Sequence, residues 1–277
     1  MRPVARLLGL LLLLSGVPLL ADEGGGQRLQ PLRPVVSLII DDLGDNLEEG
    51  MRAIALPGQV TYSILPQTPY SRHFAELAHS QGREVMLHQP MQAVNDQPMG
   101  PGGLSLHMTR GEFARTLRAN LESVPHAQGV NNHMGSLLTR HPGEMAWLME
   151  ELLRSGGLFF VDSTTTSKTV AMSVAAAYQL PSLRRNVFLD HERNDQMIRA
   201  QFARLITQAR TVGNSLAIAH PYPETLQVLE ELLPTLEEQG VALLPVSRLI
   251  EYRNEWREQL WQASLSPSPR GVKSSKQ

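Results

Sequence analysis

Apolar residues along this chain fall into short unbroken runs, each followed by a stretch with helical spacing. The runs are VVSLII (35–40), VTYSIL (60–65), EVMLH (84–88), GVNNHM (129–134), LFFVD (158–162), RNVFLD (185–190), SLAIAH (215–220) and VALLPV (241–246). Most do not alternate apolar with polar, which suits parallel strands covered on both faces. Between them the pattern predicts amphipathic helices. In 109–121, Thr109 and Glu112 have the spacing of a capping box, and Phe113, Leu117 and Leu121 share one face. Pro142 opens 142–154, Met145, Leu148, Met149, Leu152 and Leu153 stack along it, and Gly156 and Gly157 end it. Segments 70–80, 195–210 and 223–238 follow the same rule, with Pro234 expected to kink or split the last.

Strand and helix alternating in this way imply a parallel sheet, either closed as a (β/α) barrel or open and doubly wound. In both architectures ligands bind at the carboxyl ends of the strands. The glycine- and proline-rich connection 92–108 leaves such an end directly, so it is predicted to cover the substrate.

Composition adds the compartment. Arg2 and Arg6 precede the apolar stretch 7–20, and Ala21 closes it, the layout of a secretory signal peptide over residues 1–21. An uncleaved anchor is the other reading of that stretch, which is shorter than the roughly 20 residues that span a bilayer. Residues 22–34 read as a linker, 35–256 as one domain, and the Ser/Pro/Lys-rich 257–277 as a disordered tail. The reading is thus a periplasmic or secreted protein with no stable membrane span once the signal is removed. Cysteine is absent, and a core of this size needs no disulfides. Taking Arg2 and Arg6 from the 25 basic residues leaves 23 against 27 acidic ones, a net charge of −4. No basic cluster appears before the tail, which excludes nucleic acid as the expected partner.

The chemistry lies at the predicted strand ends. Asp41 and Asp42, His88, Asn131–Asn132–His133, Asp162, Asp190 and His220 all fall there, including three of the nine histidines. Singly, each has an ordinary explanation, and Asp190 reads as the N-cap of the next helix. A barrel, however, would bring all these ends to one mouth. Carboxylate plus imidazole is a ligand set for a divalent metal, zinc first among them. A cation also explains two adjacent like charges: one aspartate binds it while the other stays ionised as a base. There is no HExxH, GxSxG, GxGxxG or Walker sequence.

These residues resemble the divergent branch of the polysaccharide deacetylases over roughly 35–250. The resemblance rests on Asp41 and Asp42 in IIDDLG, His88 in AELAHSQGREVMLHQPMQ (75–92), Asn132–Ser136 in GVNNHMGS, and His220 in LAIAHPYPET. It implies a distorted (β/α) barrel of about seven parallel strands. It further implies Asp41 as general base, Asp42 and His88 as metal ligands, and His220 as general acid. Two features depart from the family pattern. Gln92 stands where a second histidine ligand belongs, and NNHMGS replaces the usual arginine-and-proline motif. His133 is inferred to supply the missing imidazole, giving an Asp42/His88/His133 site, with a weakened or unused site as the other reading. Asp162 is expected to orient a catalytic partner. Two functions follow from the resemblance. One is a metal-dependent hydrolase that deacetylates a cell-envelope glycan. The other is a catalytically weak or inactive protein on the same fold, holding glycan or an envelope partner protein.

Overall fold

A computed structural model describes residues 33–95 and 97–265 of the chain. The predicted signal peptide, most of the linker and the tail from 266 onward lie outside them. Among the described residues nine strands form one parallel sheet: β1 (Val35–Leu43), β2 (Thr61–Ile64), β3 (Glu84–Met91), β4 (Ala127–Met134), β5 (Phe159–Asp162), β6 (Ser182–Arg184), β7 (Val187–Phe188), β8 (Asn214–Ala219) and β9 (Ala242–Leu243). The helices are α1 (Leu47–Ile54), α2 (Ser71–Ser80), α3 (Arg110–Ser123), α4 (Pro142–Arg154), α5 (Ala171–Ala177), α6 (Asp195–Val212), α7 (Pro223–Leu232) and α8 (Val246–Leu265).

The local signals behave as their chemistry predicts. Thr109 and Glu112 form the full capping box of α3, Pro142 is the first residue of α4, and α7 ends at Leu232, where a 3₁₀ turn at Leu233–Thr235 holds Pro234. Several local features differ from the sequence reading. The helices α1, α5 and α8 have no counterpart in it, β3 runs three residues past His88, the run expected from 185 is preceded by the separate strand β6, and α8 stays helical through 257–265, where a disordered tail is expected. The helices α1 and α5 and the strand β6 are too short to carry a periodicity of their own.

The strand order β6-β5-β4-β3-β2-β1-β8-β7 wraps the sheet as a distorted barrel, with β9 beside the start of β1. Its two ends, β6 and β7, follow one another in the chain. The backbone crosses this seam in one step: Arg185 N bonds Asp162 O on one side, and Asn186 N bonds Leu216 O on the other.

Alternation along each strand then sorts the side chains. Outward positions such as Val36, Leu38, Ile40, Val85, Leu87, Val130 and Ala217 pack against the helices in one large buried cluster. The inner positions Val35, Ile39, Met86, Phe159, Val161, Leu216 and Ile218 meet Val246, Leu249 and Ile250 of α8 in a second. Buried Glu84, also on the inner face, accepts the amide hydrogens of Val246 and Ser247 at 2.7 and 3.0 Å, which fixes the start of α8 there. Above this apolar floor the same inward phase continues into Asp41, His88, Asn131, His133 and His220.

Candidate metal centre

Adjacent residues on a regular strand point to opposite faces, so Asp41 and Asp42 should not share a site. The backbone of Asp42 resolves this: its φ is +60°, and the β1–β2 register slips between Ile40 and Leu43. Aspartate is among the few residues that tolerate this left-handed region. Gly44 completes the turn at φ +137°, where a Cβ would lie 2.1 Å from Thr68 Oγ1. Asp41 therefore stays on the inner face, 3% exposed, while Asp42 swings to the mouth with its side chain 30% exposed.

Three donor atoms converge there. Asp42 Oδ1 lies 3.0 Å from His88 Nε2 and 3.0 Å from His133 Nδ1, and the two ring nitrogens are 3.2 Å apart. Asn131 decides which nitrogen of His88 is available. Its Nδ2 donates to Asp41 Oδ1 at 2.8 Å, so its Oδ1 faces His88 Nδ1 at 2.8 Å and must receive that ring's hydrogen. Ser63 Oγ donates to the same oxygen at 2.6 Å. His88 Nε2 is thereby left with its lone pair toward Asp42 and His133. Asp42 Oδ1 itself is buried and receives no well-directed hydrogen bond. An orphaned carboxylate oxygen facing the His88 lone pair and the Nδ1 of His133 calls for a cation, and the separations agree with ligands reaching roughly 2.0–2.2 Å to one zinc-like ion. The residues present fit a divalent metal.

Without a metal the same crowding appears as charge. Burial pushes the Asp42 carboxyl up, yet the close ring nitrogens of His133 and His88, which would donate to it once protonated, and the charges of His88 and His220 hold it well below the ordinary carboxylate range. Burial also opposes protonation of His88, but the charge of Asp41 and then Asp42 raise the ring above its ordinary value.

His220 stands across the mouth, its Nε2 3.7 Å from Asp42 Oδ2. Its partner is Asp190: Oδ1 meets His220 Nδ1 at 3.0 Å, and Oδ2 accepts His220 N at 2.6 Å and Thr225 Oγ1 at 3.0 Å. Register explains the pairing. Phe188 lies beside Ile218 in the β7–β8 ladder, so the residues two further on, Asp190 and His220, fall side by side. Tyr222 stacks on the His220 ring at 5.4 Å, and the Arg193 guanidinium covers Tyr222 at 3.9 Å.

Asp162, expected to orient a catalytic partner, touches neither His220 nor His88. It is fully buried at the end of β5 and accepts from Thr164 N and Thr169 Oγ1 at 2.9 and 3.2 Å, with Arg184 nearby. The carboxylate that holds the histidine is Asp190, which its N-cap-like position in the sequence disguised. Gln92 turns from the site as well: its Oε1 accepts Leu106 N at 2.9 Å and pins the 92–108 loop to itself. His133, from the neighbouring strand, occupies the third donor position. The loop does reach the mouth, where Pro98, Met99 and Pro101 join Pro66, Asp42 and His133 around a cleft of about 310 Å³. A larger hollow of about 680 Å³ between α5 and α8 is lined by no acid or imidazole among the described residues.

Burial alone would lower the His220 pKa, but the Asp190 hydrogen bond and the charges of Asp190, Asp42 and Asp41 push it up to about 9. Ring-proton NMR on metal-free protein should therefore find His220 titrating near that value, and Asp190→Asn should bring it down toward 6.5. Because the folded value exceeds the unfolded one, the protonated ring stabilises the fold fully below about pH 6.5 and loses that contribution as pH rises through about 9. An unchanged titration in Asp190→Asn would remove Asp190 as the controlling partner.

A family model described as divergent polysaccharide deacetylase matches residues 38–250. The uncharacterized protein YibQ of Escherichia coli strain K12 is 36% identical over 215 residues, covering 78% of this chain and 67% of that protein. Among solved structures, an uncharacterized protein of Agrobacterium tumefaciens C58 superposes with TM-score 0.75 at 21% identity, over 79% of this chain and 89% of that one. A CE4 family pseudoenzyme from Bacillus anthracis superposes with TM-score 0.51 at 14% identity, over 80% of this chain and 66% of that one. A mutant of that pseudoenzyme has restored enzymatic activity.

Proposed function

The chain belongs to the divergent polysaccharide deacetylase family, and on that premise we propose that it is an exported, metal-dependent hydrolase removing acetyl groups from a cell-envelope glycan. The observation that carries this reading is the donor triangle of Asp42, His88 and His133, flanked by Asp41 and by an Asp190-held His220. Nitrogen and oxygen donors of this kind suit zinc above calcium or magnesium. The cation, when bound, supplies Lewis-acid polarisation of the acetyl carbonyl and of the attacking water. Asp41, held in place by Asn131, takes the proton from that water as the new C–O bond forms. His220, kept protonated by Asp190, gives its proton to the departing amine or alcohol as the acetyl bond breaks. Acetate and the free glycan amine or hydroxyl are the products, and Asp41 and His220 exchange protons with solvent to reset.

Incubation of the purified protein with divalent metals and acetylated glycans should release acetate, and stoichiometric metal should survive purification. Release from no glycan, by a metal-free protein that still binds glycan, would favour the scaffold reading instead, in which the site holds glycan or an envelope partner protein. Gln92, standing in the sequence where the family pattern has a histidine ligand, is what favours that second reading. His133 completing the triangle weighs against it. Export rests on Arg2, Arg6 and the apolar stretch before Ala21. N-terminal sequencing of envelope material should find a chain beginning near Asp22, whereas an intact Met1 would support an anchor. Among the described residues no helix is long and apolar enough to cross a membrane.

A further inference from the structure

On the β5–β7 side of the mouth, one turn carries three features that the hydrolytic chemistry leaves unused. The Ser163 hydroxyl is buried and has no hydrogen-bonding partner among the described residues. Thr164 holds φ at +55°, a conformation that a β-branched residue adopts only under constraint. Arg185, at the seam, donates from Nε to the Ser163 carbonyl at 2.7 Å and from Nη2 to the Thr164 carbonyl at 3.2 Å. Its Nη1 makes no hydrogen bond, and no carboxylate forms an ion pair with it, among the described residues. Asp162 imposes this turn by accepting Thr164 N on its side chain and Thr164 Oγ1 on its carbonyl. An unpaired buried hydroxyl and a strained backbone both destabilise the free protein. Here they sit together.

The turn also borders the reaction site on two sides. Ser163 N is held by Asn132 Oδ1, one residue before the ligand His133. The Arg185 guanidinium lies 4.5 Å over the Phe188 ring, which stands 5.4 Å from the ring of His220. Ser163 continues the inward phase of Phe159 and Val161 along β5. Burial lowers the Arg185 pKa against the opposing charges of Asp41, Asp162 and Asp190, leaving a guanidinium that is still charged but sparsely hydrated.

We propose that Ser163 and Arg185 form a subsite for a carboxylate carried by the glycan, so that the protein prefers acetylated acidic glycans to neutral ones. The guanidinium edge supplies the charge-assisted donors that a carboxylate matches, and the unused hydroxyl supplies a further one. The surrounding acids do not forbid an anion, because a divalent cation held at Asp42 would offset them. This inference rests on the glycan-hydrolase reading of the mouth.

The test uses the full chain loaded with zinc and a matched pair of acetylated acidic oligosaccharides, one intact and one with its carboxyl groups reduced to alcohols. Calorimetric titration should show the intact glycan binding roughly tenfold tighter, as expected for a charge-assisted contact. Arg185→Gln should abolish that preference, Arg185→Lys should keep part of it, and Ser163→Ala should weaken it without lowering Tm. The last result separates the subsite from a structural role, since a hydroxyl that holds the turn could not be removed harmlessly. Equal affinity for the two glycans, binding of neither, or an unchanged preference in Arg185→Gln overturns the subsite. Should that variant fail to fold, an unchanged preference in Ser163→Ala overturns it. Acetate release from both glycans at equal kcat/KM leaves the hydrolase standing and removes the subsite. A carboxylate preference lost in Arg185→Gln, without acetate release from either glycan, removes the hydrolase and leaves the subsite.

Discussion

Alanine at position 88 is expected to strip the protein of its metal. His88 is 2% exposed and presents Nε2 to both other donors, while Asn131 and, through it, Asp41 fix its tautomer. Removing the ring takes away one donor of three and leaves the Asp42 carboxylate facing a single imidazole. Such a loss should exceed the 10–100-fold that follows when only a residue supporting a ligand is changed. Asn131→Leu provides that comparison for metal binding, because it leaves all three donors in place while it frees the orientation of His88 and unpairs Asp41 and Ser63. Metal content after dialysis and zinc titration of the two variants measure the difference. Unchanged metal in both His88→Ala and His133→Ala would abolish the site.

The two adjacent aspartates should fail in different ways. Asparagine tolerates the left-handed backbone about as well as aspartate, so Asp42→Asn preserves the turn and removes only the charge. It should release the metal and with it all acetate release. Asp41→Asn can still offer an oxygen to Asn131 Nδ2, so His88 stays oriented and the metal stays bound. What disappears is the base, and turnover should fall by roughly 10²–10⁴-fold. Metal analysis and acetate release on the two single variants separate the roles. If both variants keep metal and full turnover, the paired carboxylates only shape the turn before Gly44, and the hydrolase reading is lost.

Much of the architecture was legible because its causes are local. The capping box at Thr109 and Glu112, the proline start of α4 and the break at Pro234 each depend on residues within one turn of each other. Buried parallel strands likewise announce themselves as short apolar runs, which is why the strands leading to His88, His133 and His220 could be located. The split into β6 and β7 could not be, since the reason for it is the seam between β5 and β8 that Arg185 and Asn186 cross.

For the site, the sequence by itself determined the donor types and the strands that carry them. Which carboxylate serves which histidine was decided by the tertiary structure alone. Asp162 and Asp190 look alike in the sequence, each ending an apolar run. The register of β7 against β8 sets Asp190 beside His220, while Asp162 faces the turn it folds. The shared orientation of Asp41 and Asp42 depends on one positive φ, and the tautomer of His88 depends on an asparagine from the next strand. Alternation along a strand is written in the residues themselves. Register and adjacency between strands arise only when the helices and α8 pack the sheet around its floor, bringing together residues far apart in the chain.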